Sequence, residues 1–297
     1  MQTVKIMEVG PRDGWQNLKS LVPTEQKLNI IRGILATGIQ YMQVTSFVNP
    51  KAIPQMYDSS VVAETIVQEF PDRTFNALVP NLVGAKKADE TGLREICYVV
   101  SVSESHNQAN IKRSREQSFA ELAAIREQLP DMKVTLSLAT AFGCPFEGEI
   151  HLKDVLKNIE KAVSLGIRKV ELADTIGIAN PVQVRQTFQA VTQQYPDVCF
   201  LAHMHDTRNN GIINSWAAAE NGAEIIHTTL GGLGGCPFAP GASGNTATED
   251  LVYLFEHSGI HTGINFAQLI KVSREMYESI EGNYSGHQIK IPSESTL

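Results

Sequence analysis

Two histidines separated by one residue, His203 and His205, give the sharpest chemical signal in the chain. The run that carries them, CFLAHM over 199–204, reads as a β-strand, and residues two apart on a strand project from the same face. Two imidazoles side by side make a compact pair of metal ligands. The plainer reading is two rim histidines bonded to nearby backbone. Their company favours a metal: Asp13, Asp174 and Asp206 fall at the ends of strands expected to be neighbours. Asp13 would add negative charge and Asn245 a neutral carbonyl oxygen. A mixed nitrogen and oxygen set with positions left open suits a divalent ion such as Mg or Mn better than a closed structural zinc. Such an ion acts as a Lewis acid and an orienting template.

Arg12 precedes Asp13 in a turn bounded by Gly10, Pro11 and Gly14. As a surface salt bridge it would contribute little; fixed beside developing negative charge it would contribute to catalysis. Cys236 lies among Gly231, Gly232, Gly234, Gly235 and Gly241. It is either a small buried hydrophobe or a thiol carried in by a mobile lid. The same glycine run could also cradle a phosphate.

Eight β-rich runs must position these groups: 4–9, 41–46, 75–79, 95–102, 133–139, 168–173, 199–204 and 224–229. Amphipathic segments separate them. Thr24 is expected to cap the first helix, and Gly38, Gly92, Gly166, Gly222 and Gly259 follow helical runs as C-terminal caps do. Residues 154–165 and 181–193 are the clearest helices, with Pro181 in a first turn. Residues 103–114 (SESHNQANIKRS) read as a polar rim loop, and 283–297 as a poorly ordered polar tail. Eight βα alternations in one composition regime predict a single (β/α)8 TIM barrel over about 4–260, with a helical extension over about 261–297. A doubly wound open sheet is the alternative, but no strand–GxGxxG–helix unit supports it. In a barrel the chemistry collects at the C-terminal ends of the strands, where the polar runs named above all lie.

The chain has 297 residues and a formal net charge of −7, with no basic stretch, so nucleic acid and anionic membrane are poor partners. No apolar run approaches the ~18 residues of a membrane span. Met1 leads straight into an apolar-rich run without a signal-peptide pattern. Cys97, Cys144, Cys199 and Cys236 form no C-x-x-C pair, and a reducing cytoplasm is the expected compartment.

The runs EVGPRDGWQN, TSFVNPK, FGCPFEG, ADTIG, HMHDT and GGLGGCPFAPGASGNTATEDLVY, in this order from residue 4 to about 270, resemble the hydroxymethylglutaryl-CoA lyase family. The resemblance implies a (β/α)8 barrel that cleaves a 3-hydroxy-3-methylglutaryl thioester to acetoacetate and acetyl-CoA, as in leucine degradation and ketone-body formation. By matching positions it implies Asp13, His203, His205 and Asn245 as metal ligands. It gives Arg12 the task of polarising a substrate oxygen, Cys236 proton transfer from the lid, and His203 a part in catalysis as well as ligation. Asp174 and Glu249 match acidic residues that support the site. An acyl-CoA substrate and a homodimer follow from the same resemblance.

Four departures stand out. The family carries Glu where this chain has Gln43, so a charge beside Arg12 is lost. Trp15 adds bulk in the first loop, Ala52 replaces a family Trp, and Arg208-Asn-Asn-Gly-Ile replaces a run of small residues. A reshaped pocket points to a second reading, a lyase or condensing enzyme for another 3-hydroxy-3-alkyl acyl-CoA. A third is a binding protein that has lost turnover; the retained ligand set argues against it.

Overall fold

A computed structural model describes residues 3–234 and 244–292. Eight parallel strands close into a barrel in sequence order, with β8 paired to β1. They are β1 (Lys5–Glu8), β2 (Tyr41–Ser46), β3 (Thr74–Val79), β4 (Glu95–Ser101), β5 (Lys133–Ala139), β6 (Lys169–Asp174), β7 (Cys199–Met204) and β8 (Ala223–Thr228). Helices α1 (Thr24–Ala36), α2 (Ser59–Glu69), α3 (Leu82–Glu90), α4 (Glu104–Ile111), α5 (Arg115–Gln128), α6 (Leu152–Ser164), α7 (Pro181–Gln194), α8 (Gly211–Glu220), α9 (Thr248–His257) and α10 (Phe266–Ser279) surround them. The fold is the expected (β/α)8 TIM barrel.

Most of the apolar core lies between the strands and the helical ring, where residues such as Ile31, Ile66, Leu122, Phe188 and Phe255 are fully buried. A second, small apolar cluster of Met7, Val9, Leu201 and Ile225 fills the barrel interior beside β7, β8 and β1. The facing interior positions are polar: Gln43, Asn76, Glu95, Thr135, Ser137 and Glu171 are all buried. Burying so many polar groups is tolerable only when they bond one another, and that requirement shapes the site.

Three local expectations need correction. Thr24 is the first helical residue, not the cap of α1; extended Pro23 holds the cap position, and the Thr24 hydroxyl reaches across to Asp58 and Tyr57, each at 2.8 Å. Residues 103–114 are not a rim loop. They contain α4, whose N-terminus is capped by the Ser103 hydroxyl accepting from the His106 amide. The tail through residue 292 is not loose. Tyr284 donates its hydroxyl to the Ile280 carbonyl at 2.8 Å, the Gly286 amide donates to Gly231, and the His287 and Gln288 amides donate to Asp250. The backbone donors of this polar segment find acceptors on the rim of the barrel, which overrides its composition.

Candidate active site

The C-terminal end of β7 carries His203, buried at its tip, and His205 just beyond. Their Nε2 atoms converge to 3.0 Å. Asp13 enters from the π-type turn Gly10–Gly14 that follows β1, with Oδ2 3.7 Å from His203 Nε2. Asn245 arrives because the chain at 244–247 runs back beside the strand ends: His205 and Asn245 form an antiparallel bridge, and the Asp206 amide donates to the Gly244 carbonyl. Candidate ligand atoms of Asp13, His203 and His205 all lie within 4.8 Å of one another. The Asn245 amide donates from Nδ2 to Asp13 Oδ2 at 2.8 Å, and its Oδ1 is buried without a hydrogen-bond partner. An orphaned carbonyl oxygen beside two converging imidazoles and a carboxylate fits a divalent cation.

Electrostatics agree with that fit. Burial, reinforced by the neighbouring His205, pushes His203 down to about 3, so its imidazole is neutral and its lone pair is available to a cation. Burial alone would raise Asp13, but Arg12 and the two histidines outweigh it and hold the carboxyl at about 2. Asp13 is therefore an anion at any working pH.

Arg12 is buried beside the cluster and donates to both Asp13 Oδ1 and Gln43 Oε1. Its guanidinium thus faces one charged and one neutral acceptor. The cavity in front of these groups has a volume of about 460 Å³. Arg12, Asp13, His203 and His205 form part of its wall, and α4 with the loop after it supplies His106, Asn110, Ile111 and Arg113 on another side. The segment read from sequence as a rim loop is therefore a largely helical wall of the pocket.

These features meet in one protein family. A family model described as HMGL-like matches residues 3–276. The chain belongs to the HMGL-like family. It is a carbon–carbon lyase. It is 39% identical to a hydroxymethylglutaryl-CoA lyase of Bacillus subtilis over 279 residues, 93% of each chain. It is 38% identical to the (R)-citramalyl-CoA lyase of Chloroflexus aurantiacus, over 92% of this chain and 90% of that one. A solved structure of an HMG-CoA lyase from Acinetobacter baumannii, in complex with coenzyme A and 3-methylmalate, superposes with a TM-score of 0.94 at 40% identity. That match covers 99% of this chain and 97% of the other.

Within this HMGL-like site the remaining residues singled out by sequence take other places. Asp174 does not line the cavity; its carboxylate accepts from the Ile178 and Ala179 amides, 3.0 Å each, and braces the turn after β6. Burial raises its pKa, and those two amides counter the rise. Asp206 accepts from the Gly211 amide at 2.7 Å, at the start of α8. Glu249 sits at the start of α9 behind the site, accepting from the Gly231 amide at 2.9 Å. Cys236 lies outside the described residues.

Two residues that carry no motif also meet the site. Below His203, its Nδ1 faces His227 Nδ1 at 3.4 Å, and Glu171 lies 3.4 Å from His227 and 3.9 Å from His203. Both are buried, on β6 and β8. The signal was available in KVELAD and AEIIHT: Glu171 and His227 each stand two positions from a residue now seen facing inward, Ala173 and Ile225.

Proposed function

We propose that this protein cleaves 3-hydroxy-3-methylglutaryl-CoA to acetoacetate and acetyl-CoA in a divalent-metal-dependent retro-Claisen reaction. The observation that carries this reading is the buried Asn245 oxygen, left without a hydrogen bond beside His203, His205 and Asp13 at the wall of a cavity that also holds Arg12. Those four residues would hold the metal, Mg or Mn; when bound it supplies Lewis acidity and orientation toward substrate oxygens. Arg12 faces the same space and offsets negative charge that develops on a substrate oxygen. In the reaction the tertiary hydroxyl loses its proton and its oxygen becomes the ketone of acetoacetate. The carbon–carbon pair passes to the thioester fragment as an enolate, and a proton on that carbon completes acetyl-CoA. We assign that last protonation to Cys236.

A second reading keeps the reaction and changes the acid. Gln43 removes a charge beside Arg12, and the Chloroflexus relative is named for citramalyl-CoA. Citramalyl-CoA is one methylene shorter, with its carboxylate on the carbinol carbon, and would release pyruvate with acetyl-CoA. Acetyl-CoA release from both thioesters, with Mg or Mn, separates the readings. Strong turnover of the glutaryl thioester alone removes the second, and turnover of the citramalyl thioester alone removes the first. His205→Ala should lose bound metal by direct elemental measurement; unchanged metal content would end the metal reading.

Three further parts of the reading concern setting. The free thiols Cys97, Cys144 and Cys199 suit the reducing cytoplasm. Among the described residues no helix is long and apolar enough to cross a membrane. The assembly we favour is a homodimer, which sedimentation would test.

A further inference from the structure

Gln43, Asn76 and Glu95 occupy one row across three strands: Gln43 is in register with Asn76 on β2 and β3, and Asn76 with Glu95 on β3 and β4. All three are buried. Their hydrogen bonds run in one direction. Lys169 Nζ and the Thr135 hydroxyl donate to Glu95 Oε1, at 2.7 and 2.9 Å. Asn76 Nδ2 donates to the same oxygen at 3.3 Å. Its own Oδ1 therefore points the other way and accepts from Gln43 Nε2 at 3.0 Å. That leaves Gln43 Oε1 toward Arg12, which donates to it from Nε.

A primary amide offers donors on one end and an acceptor on the other, so each amide in a row fixes the next. A carboxylate, by contrast, only accepts. With Glu95 ionised beside Lys169, Asn76 must turn its NH2 toward Glu95, and Gln43 must then turn its carbonyl toward Arg12. A carboxylate at position 43 would face Asn76 Oδ1, acceptor against acceptor. Turning Asn76 over would only move the conflict to Glu95.

We infer that Asn76 and Glu95 are positioning residues that set the orientation of the Gln43 amide and, through it, of the Arg12 guanidinium at the cavity wall. The neutral residue at position 43 is then matched to its row rather than being an isolated loss. The inference rests on the lyase reading only in giving Arg12 a task. It also predicts that Gln43→Glu alone is not a clean substitution, because the oxygen that replaces Nε2 would face the acceptor Asn76 Oδ1. Asn76 and Glu95 must be changed with it.

The test is a double-mutant cycle of Gln43→Glu and Glu95→Gln, read by thermal unfolding in EDTA. In the double variant Asn76 can donate to Glu at 43 and accept from Gln at 95, so the row is satisfied in the reverse sense. Lys169 loses its carboxylate partner in both proteins that carry Glu95→Gln, so that loss cancels when the cost of Gln43→Glu is compared between the two backgrounds. Gln43→Glu should lower the unfolding midpoint by about 5 °C or more in wild type, and by less than about half as much when introduced into Glu95→Gln. Losses that simply add would overturn the row. The positioning of Arg12 has its own readout in acetyl-CoA release from the glutaryl and citramalyl thioesters. Asn76→Leu frees the Gln43 amide and should lower kcat by about 10- to 100-fold with KM changed by less than about 3-fold. Asn76→Asp with Glu95→Gln again presents only an acceptor to Gln43 and should restore most of kcat. An unchanged kcat in Asn76→Leu, or no recovery in that double variant, would overturn the positioning role. If wild type cleaves neither thioester the lyase reading fails, while the unfolding cycle still decides the row.

Discussion

Asn245 gives its amide nitrogen to Asp13, and its amide oxygen stays buried without a hydrogen-bond partner. The hydrogen bond fixes which end of the amide faces the cluster, because Asp13 stays ionised and can only accept. A buried acceptor without a donor costs about 1–3 kcal/mol, which a cation would relieve. Asn245→Leu should therefore lose metal without losing the fold. The expected result is at least about a 10-fold weaker Mn affinity by electron paramagnetic titration, with a cooperative unfolding transition retained in the absence of metal. An unchanged Mn affinity would exclude Asn245 as a ligand.

The pair beneath His203 leads to a second prediction. A metal on His203 Nε2 leaves the ring proton on Nδ1, which must then donate. His227 Nδ1 at 3.4 Å is the acceptor in line, with Glu171 beside it. Such outer partners orient the ligating ring, and their loss costs about 10- to 100-fold in metal affinity. His227→Leu should weaken Mn binding by that amount, while His227→Gln, which keeps an acceptor, should retain most of it. Equal affinity in both variants would show that His227 only fills space.

The barrel could be read from sequence because βα alternation is a local pattern, and each strand came out within about two residues of its expected span. The helix α4 could not. Its residues 104–111 show no apolar stripe, and it is held by polar bonds instead. Asn107 is fully buried, accepting from the Ser101 amide and donating to the Ser118 hydroxyl, both at 2.9 Å. Hydrophobic periodicity does not detect a helix anchored in that way. The His203 and His205 pair was legible because strand spacing alone puts both rings on one face. The Gln43–Asn76–Glu95 row was not, since its members are joined by register between strands 33 and 19 residues apart in sequence. Glu171 and His227 were hidden because polar residues on a strand usually mark its outer face, and here part of the barrel interior is polar.

The wall formed by α4 carries consequences for binding. Arg113 borders the cavity, half-buried, with its guanidinium donating to the Pro80 carbonyl at 3.3 Å and lying 3.5 Å from Glu121. As a cation on the cavity wall it is placed to meet the polyanionic carrier of the acyl-CoA proposed above. Arg113→Ala should raise KM for the thioester by about 5-fold or more and leave kcat within about 2-fold, as expected for binding shared by ground and transition states. The effect should shrink as ionic strength rises. A fall in kcat at constant KM would place Arg113 in the chemistry instead.

Glu249 gives the molecule a pH signature. Burial pushes its pKa up to about 8, with the neighbouring Asp250 adding to the rise. Below the ordinary carboxylate range the group is protonated folded or unfolded, and its burial costs nothing in ionisation. As pH rises from about 4.5 to 8 the unfolded chain ionises while the folded chain retains the proton, so stability falls across that window and levels off above it. Glu8 and Glu171, both raised to about 7 by burial, act in the same direction. His203, lowered by burial, acts oppositely: its contribution is present above about 6.5 and is lost as pH falls toward 3. The raw profile therefore mixes signs, and the difference between two proteins isolates one group. The unfolding midpoint of Glu249→Gln, measured in EDTA, should match wild type or lie below it near pH 5. It should then gain on wild type steadily to pH 8, at up to about 1.4 kcal/mol per pH unit. Parallel curves across that window would show that Glu249 ionises normally in the folded protein.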